Sequence, residues 1–499
     1  MMLSEQIIPL FVVIPLAGAF LISLLGKKVK LLPDMLGVLA GLILCILSIL
    51  SVRLYNASGA LTYSVGAWRS PIGIEMVLDG LSVFMLVTVN LVAFCIALYA
   101  VNYMEKFTAK WKFYTLFLLM LAGMNGVVIT GDMFNLFVFL EIAAVASYAL
   151  VAFGTERQEL EAAFKYAVMG TVGSSFILLG IVMLYSYTST LNMADMNSVL
   201  LQKGAGSLIL FVSVLFLMGF GLKAALVPFH AWLPDAHPSA PAPISAMLSG
   251  VLIKALGVYA LARIFYNVLG VSEQLSSILL FLGTLSMVVG GILALGQWDF
   301  KRLLAYSSIS QVGYIILGLG LGTPLGILGA LFHLFNHSVF KSLLFLNSGA
   351  VEYATDTRDL RKMGGLSQKM PLTSTTNFLA SMSIAGIPPF SGFWSKLLII
   401  VAACRAEKFG YAFWAVLVSI LTLAMYLKVI KFAFLGSLKD SLTRVKEVPL
   451  FMKLSMAMLA LICLVGGVLL LPNLYGAFLQ KASQILLLGA EYGAIFIKG

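Results

Sequence analysis

Apolar runs long enough to cross a bilayer recur from one end of this chain to the other, divided by short polar breaks. A helix needs about 20 apolar residues to span the hydrocarbon core. On that measure the pattern predicts about 14 spans, at 6–26, 31–52, 78–101, 112–131, 133–153, 161–188, 206–227, 241–265, 274–297, 301–321, 325–350, 371–403, 410–436 and 448–472. A last apolar stretch, 482–498, is short and holds Glu491, so it is expected to lie at the interface. Two spans are interrupted. In one, Lys223 is followed by Pro228, Phe229 and His230; in the other, Gly386, Pro388, Pro389 and Gly392 precede Lys396. Proline removes a backbone donor and clashes with the preceding turn. Freed backbone groups at membrane depth are tolerated only against protein or water. Interrupted spans at corresponding positions of two halves point to inverted repeats with the working site at the breaks. The breaks lie five spans apart, and an odd number of spans inverts the second copy.

The expected organisation follows: N-terminal helices over 1–111, a first inverted five-helix repeat over 112–270 with its break near 223–230, a second over 271–436 with its break near 386–396, and a last helix and tail over 437–499.

Composition sharpens the class. The chain is 61% hydrophobic and 11% charged, whereas soluble domains are about 25% charged. An all-α polytopic membrane protein without a large soluble domain is expected, with lipid around it. A net charge of +11 would suggest nucleic acid in a soluble protein. Here the basic residues follow the loops, and no nucleic-acid partner is expected. The odd-numbered loops and their flanks carry 18 of them and the even loops and tail 8, the latter including Arg53, Arg69, Arg263 and Lys498. By the positive-inside rule the odd loops are cytoplasmic, so both termini lie outside the cell membrane, plasma or inner. Glu5 precedes the first run and Lys27, Lys28 and Lys30 follow it, the reverse of a signal peptide, so a retained helix is expected. Cys45, Cys95, Cys404 and Cys463 are scattered through apolar runs with no CxxC, iron–sulfur or zinc spacing. They read as packing residues, and neither a cofactor nor a metal is expected.

The remaining lysines, Lys223, Lys254, Lys341, Lys396, Lys428 and Lys431, fall inside apolar segments, as does Glu141. A charge at a bilayer centre costs about 2.5–3.5 kcal/mol on insertion scales, so each must pair, neutralise or face water. For Glu141 the choice is between a locking ion pair and a proton-binding carboxylate. Lys254 is too deep for easy snorkelling, whereas Lys428 and Lys431 stand at a span end where snorkelling is equally fitting. All four histidines occupy two segments. His333 and His337 are four apart and Lys341 four further on, so in a helix they share one face as a protonatable stripe. A buried hydrogen-bonded pair is the bland alternative; zinc or haem lacks further ligands. His230 and His237 flank Asp235 near the first break, where capping or gating competes with proton transfer. Asp132 sits between two spans as a helix cap.

Four segments carry a resemblance: GDMFNLFVFLE ending at Glu141, LKAALVPFHAWLPDAHPSAPAPISAMLSGVLIKALGVYAL starting at Leu222, FHLFNHSVFKSLLFL starting at Phe332, and AGIPPFSGFWSK ending at Lys396. With these the chain resembles the antiporter-like subunits shared by respiratory complex I, membrane-bound hydrogenases and Mrp-type sodium/proton antiporters. In motif it looks most like the Mrp D subunit and its hydrogenase-complex counterparts. The resemblance implies a proton-translocating subunit, not catalytic by itself, that works with other antiporter-like and small hydrophobic membrane subunits. It implies that Glu141 and Lys223 interact, that Lys254 is central, and that the histidine stripe connects half-channels ending at Lys396. The family's basic residue on the thirteenth span has only Lys428 and Lys431 as candidates. Whether sodium passes through this chain stays open. The alternative is a membrane subunit of a hydrogenase or an NADH or ferredoxin oxidoreductase with an energy-coupling role and no ion path of its own.

Overall fold

The computed structural model describes residues 5–493 apart from 69 and 205. Arg69, Lys498 and the far end of the 482–498 stretch therefore lie outside the described residues. Among the described residues, thirteen helices are long and apolar enough to cross a membrane. In chain order the helices used below are α1 (Ile7–Leu25), α2 (Leu32–Ser58), α3 (Gly80–Tyr103), α4 (Lys110–Ile129), α5 (Met133–Val151), α6 (Arg157–Thr188), α7 (Met193–Lys203), α8 (Gly206–Lys223) and α9 (Leu233–Ser239). They continue with α10 (Ala242–Leu269), α11 (Glu273–Leu295), α12 (Phe300–Gly320) and α13 (Pro324–Thr355). The twelfth expected span is in two pieces of 15 residues each, α14 (Pro371–Ala385) and α15 (Ser391–Arg405). Helices α16 (Phe409–Phe434) and α17 (Leu450–Leu470) follow, then the short α18 (Gln480–Leu487).

The interruptions fall where the sequence places its prolines. Helix α8 ends at Lys223, and the chain resumes as α9 after Pro228, with Pro234 in its first turn. Helix α14 ends on Gly386, whose φ of +82° is open to glycine without strain. Asp132 caps its helix as expected, its Oδ1 accepting from Asn135 N at 2.7 Å, and Asp299 does the same for α12, its Oδ1 accepting from Arg302 N at 2.9 Å. Each of these two caps also bridges to a strand-like residue two helices on, Asp132 to Asn192 and Asp299 to Asp359, at the same chain separation. One element departs from the all-helical expectation. Between α2 and α3, β1 (Leu61–Ser64) pairs antiparallel with β2 (Glu75–Leu78), Leu61 opposite Leu78. Its alternation is only four residues long, too short to stand out in the apolar background.

Burial separates the helices into two classes. In α10 and α13 the membrane-length window is wholly buried, whereas α1, α2, α6, α16 and α17 bury little more than a third of theirs. The first two form the axis of the bundle; the others turn apolar side chains such as Phe20, Leu24 and Phe413 outward. In hydrocarbon an exposed leucine costs nothing, so outward apolar faces are the normal surface of such a protein. Small residues let the axial helices close up. A Cβ on Gly257 would lie 2.6 Å from the Ala224 backbone, and one on Gly250 would lie under 3 Å from Ser342 Oγ. Helix α10 thus touches the first break on one side and α13 on the other.

Candidate functional site

The first cluster gathers around Glu141. Its Oε1 lies 3.6 Å from Lys223 Nζ, and the Ser174 hydroxyl on α6 donates to it. Lys223 Nζ also donates to Tyr148 Oη at 3.3 Å. Tyr148 is two turns along α5 from Glu141 and so shares its face. Tyr166 packs edge-on to Tyr148 at 4.5 Å and stacks on Trp232 at 4.1 Å. The Trp232 indole donates to the Leu222 carbonyl at 3.0 Å. A helix end that lost its i+4 partners at the break is thereby satisfied by a side chain. Lys223 is buried, while the Glu141 side chain keeps 29% exposure. The pair therefore has one partner closed in and one reachable.

Lys254 lies in the middle of α10 and is fully buried. The backbone from Leu248 to Tyr259 is π-helical, with the wider i to i+5 turn. Such turns are rare and concentrate at functional positions. The Lys254 ammonium donates to the Ser249 carbonyl, and Ser249 Oγ meets Ser308 Oγ of α12 at 2.7 Å.

On α13 the expected stripe forms. The His333 and His337 rings lie parallel within 9°, their centroids 6.2 Å apart. His333 Nδ1 meets Ser395 Oγ of α15 at 2.9 Å. Both His337 ring nitrogens lack a hydrogen-bond partner among the described residues. Lys341 Nζ donates to Tyr426 Oη of α16 at 3.1 Å, and that oxygen meets Ser307 Oγ at 3.0 Å. At the second break Lys396 Nζ sits 4.7 Å over the Tyr314 ring and has no hydrogen-bond partner among the described residues. Tyr314 stands 5.6 Å from the His333 ring and donates to the Ala415 carbonyl at 2.5 Å. Lys396 lines a cavity of about 230 Å³ with Gly386, Phe393 and Ser419.

The secondary candidates separate. Lys428 Nζ donates to the carbonyls of Leu295 and Gln297 at 2.7 and 2.6 Å, closing the end of α11. Lys431 is exposed beside the Phe432 ring. Neither reaches the groups above. Asp235 is tied to Lys165 at 3.3 Å and to Arg302 at 3.6 Å. His230 is half-buried. His237 is fully buried against Phe345, ring centroids 4.6 Å apart, and neither of its nitrogens has a hydrogen-bond partner among the described residues.

Three features were not legible in the sequence. The hydroxyls of Tyr148, Ser174, Tyr314, Ser395 and Tyr426 line the site but read as packing in apolar runs. Arg263, counted above with an even loop, is buried inside α10 and grips Asp79 with two bonds of 2.7 and 2.9 Å. Its spacing of four from both Tyr259 and Asn267, which it also touches, was the available signal. Lys301, read as a loop cation, is buried and paired with Glu352 at 2.8 Å.

Comparison with known proteins agrees with this architecture. Residues 130–422 match the family described as NADH:quinone oxidoreductase/Mrp antiporter, TM, and residues 64–114 match NADH-Ubiquinone oxidoreductase (complex I), chain 5 N-terminus. Over 442 residues, 88% of either chain, it is 36% identical to the D subunit of the Na(+)/H(+) antiporter of Alkalihalophilus pseudofirmus. It is 40% identical over 382 residues to the N subunit of the NADH-quinone oxidoreductase of Desulforudis audaxviator, covering 75% of this chain and 76% of that one. A chain in the structure of the membrane-bound sulfane sulfur reductase, an archaeal respiratory membrane complex, superposes with a TM-score of 0.90 at 32% identity over 98% of this chain and 99% of that one. The protein is a multi-pass membrane protein, and it belongs to the complex I and Mrp family of antiporter-like subunits.

Proposed function

We propose that this chain carries protons across the membrane through Glu141, Lys223, Lys254, His333, His337, Lys341 and Lys396. The observation that carries the reading is the state of three lysines. Lys254, Lys341 and Lys396 are 0, 0 and 2% exposed, and among the described residues none has a carboxylate within ion-pair distance. Their neighbours are hydroxyls, a carbonyl, aromatic rings and imidazoles. A permanent charge there bears the full desolvation penalty without a partner. An amine that can pass its proton on escapes that penalty, which is why lysine and not arginine serves at such positions. A scaffold has no use for three of them.

The order proposed is Glu141 and Lys223, then Lys254, then water held by His333 and His337 with Lys341 beside them, then Lys396. The odd-numbered loops face the cytoplasm in this reading, within a plasma or inner membrane. Two inverted repeats fit the paired interruptions and the recurring bridges of Asp132 and Asp299. The names of the relatives allow two drivers, exchange against sodium with neighbouring subunits or redox chemistry in an attached enzyme. Mass spectrometry of the purified complex separates them by the subunits it finds. The test of the path is Lys254. In vesicles holding equal amounts of assembled complex, Lys254→Ala abolishes proton transport, and Lys254→Arg fails too because arginine keeps its proton. Full activity with arginine would mean that only fixed charge is needed and would overturn the carrier role.

A further inference from the structure

On the face of the odd-numbered loops, a polar cavity of about 610 Å³ opens between α9, α12 and the end of α13. A second of about 350 Å³ shares Gln158, Pro238, Ser239, Asp299 and Arg358 with it and reaches Asp235 and Lys165. The larger one is lined by six carboxylates, among them Glu156, Glu159, Asp299 and Glu352, against two cations, Lys301 and Arg358. A mouth with that imbalance gathers cations, protons included.

Its floor is a network of ion pairs. Lys301 Nζ binds Glu352 Oε2 at 2.8 Å and the Ala240 carbonyl at 3.1 Å. Arg358 Nε lies 3.2 Å from Asp299 Oδ2 and 3.7 Å from Glu352 Oε1, and its Nη1 donates to the Pro238 carbonyl. Pro238, Ser239 and Ala240 are the cavity wall. Directly behind them in the chain is His237, fully buried, with both ring nitrogens unpartnered among the described residues. A buried imidazole with no hydrogen bond is a costly choice for a structural residue, because nothing offsets its desolvation. Its ring packs on Phe345 of α13, centroids 4.6 Å apart, one turn along that helix from Lys341. His237 thus joins the cavity wall, through its chain neighbour Pro238, to the helix that carries Lys341.

We propose that this cavity is an inlet for protons, that the Lys301–Glu352 and Arg358–Asp299 pairs are its gate, and that His237 is the first group beneath the gate to take a proton toward Lys254 and Lys341. The proposal rests on the proton path above and adds a mouth to it that is separate from Glu141 and Lys223. In the closed arrangement the network caps the carbonyls that end α9. When Glu352 releases Lys301, the wall residues lose their tether and water can reach His237.

The test uses the assembled complex in inside-out vesicles, with Cys404→Ser removing the one exposed native thiol among the described residues. Ser239→Cys in the cavity wall is labelled readily by a membrane-impermeant maleimide. His237→Cys is labelled slowly, and adding Glu352→Gln speeds that labelling about tenfold, the factor that matches ~1.4 kcal/mol of lost closure. His237→Gln, which matches the ring in bulk, lowers proton transport about tenfold or more while the complex stays assembled. Unchanged labelling of His237→Cys in the Glu352→Gln background overturns the gate. Full transport by His237→Gln overturns the inlet. Loss of transport in Lys254→Ala combined with either of those results rejects the inlet alone; normal transport in Lys254→Ala rejects the path itself.

Discussion

At the first interruption Lys223 has a carboxylate 3.6 Å away and a tyrosine hydroxyl at 3.3 Å. At the second, Lys396 faces the Tyr314 ring at 4.7 Å, and its ammonium has no hydrogen-bond partner among the described residues. Both lysines are buried beside a proline-broken span, so burial and the broken helix do not distinguish them. The carboxylate does. An ion pair holds an ammonium in place, and its strength varies with what happens to the acid. An aromatic face attracts the cation more weakly and offers nothing that could receive a proton. In the proposed path the first site is the one its partner can modulate, since Glu141 is still reachable from the surface. The second has no such partner, and in the proposed path Lys396 is the group whose proton no carboxylate holds back.

The strongest blow to this contrast is Glu141→Ala. It removes the acid that sets the state of Lys223, and coupled proton transport in vesicles is expected to fall about a hundredfold while the complex assembles normally. Normal transport at equal protein level would mean that the pair is only a lock between α5 and α8. Next comes an attempt to make the second site resemble the first. Lys396 and Ser419 both come within 4 Å of the point that a Cβ on Gly386 would occupy. Ser419→Asp therefore offers Lys396 a carboxylate, ties its ammonium into an ion pair, and slows transport about tenfold. If the rate is unaffected, the missing acid is not what sets the second site apart.

A smaller effect is expected from Tyr148→Phe. It deletes one hydrogen bond to Lys223 and leaves the ring and the carboxylate, so transport drops only a few-fold, in line with about 1 kcal/mol for that bond. Stopped-flow pH measurements on proteoliposomes resolve such a change. The least is expected from Lys428→Met, which loses two carbonyl contacts at the end of α11. Thermal unfolding shifts by a few degrees at most, and transport stays within about twofold of normal. A large transport defect there would bring the thirteenth span back into the path.

The spans and both interruptions were legible because bilayer crossing is a demand on length and hydropathy, which a sequence displays directly. Their observed ends, such as Met133–Val151 and Phe300–Gly320, fall within a few residues of the expected ones. Deep charges were legible for the same reason: Lys254 in an apolar run has no innocent explanation. What stayed hidden is what depends on pairing between distant helices. Arg263 looked like a loop cation because it stands near a span end, yet its partner Asp79 is 184 residues away. Lys301 was counted as a loop cation, and its partner Glu352 is 51 positions on, at the far end of the next helix. Tyr426 gave no signal at all, since a tyrosine in an apolar helix is ordinarily packing, and only the approach of α16 to α13 puts its hydroxyl on Lys341. The π-helical turn around Lys254 left no trace because nothing in LSGVLIKALGVY separates an i to i+5 turn from an ordinary helical one.

Helix α13 runs unbroken through 32 residues, from Pro324 to Thr355. Glu352 is near one end, and Lys341, His337 and His333 follow toward the other. At 1.5 Å per residue, Glu352 and His333 are about 28 Å apart along the axis. If the helix moved as one body, a shift of an ångström at Glu352 would reach His333, and the contacts of His333 with Ser395 and of Lys341 with Tyr426 would change together. Such a lever makes timing a property of the backbone: the ion pair at one end and the imidazoles at the other would move in step, whatever lies between them.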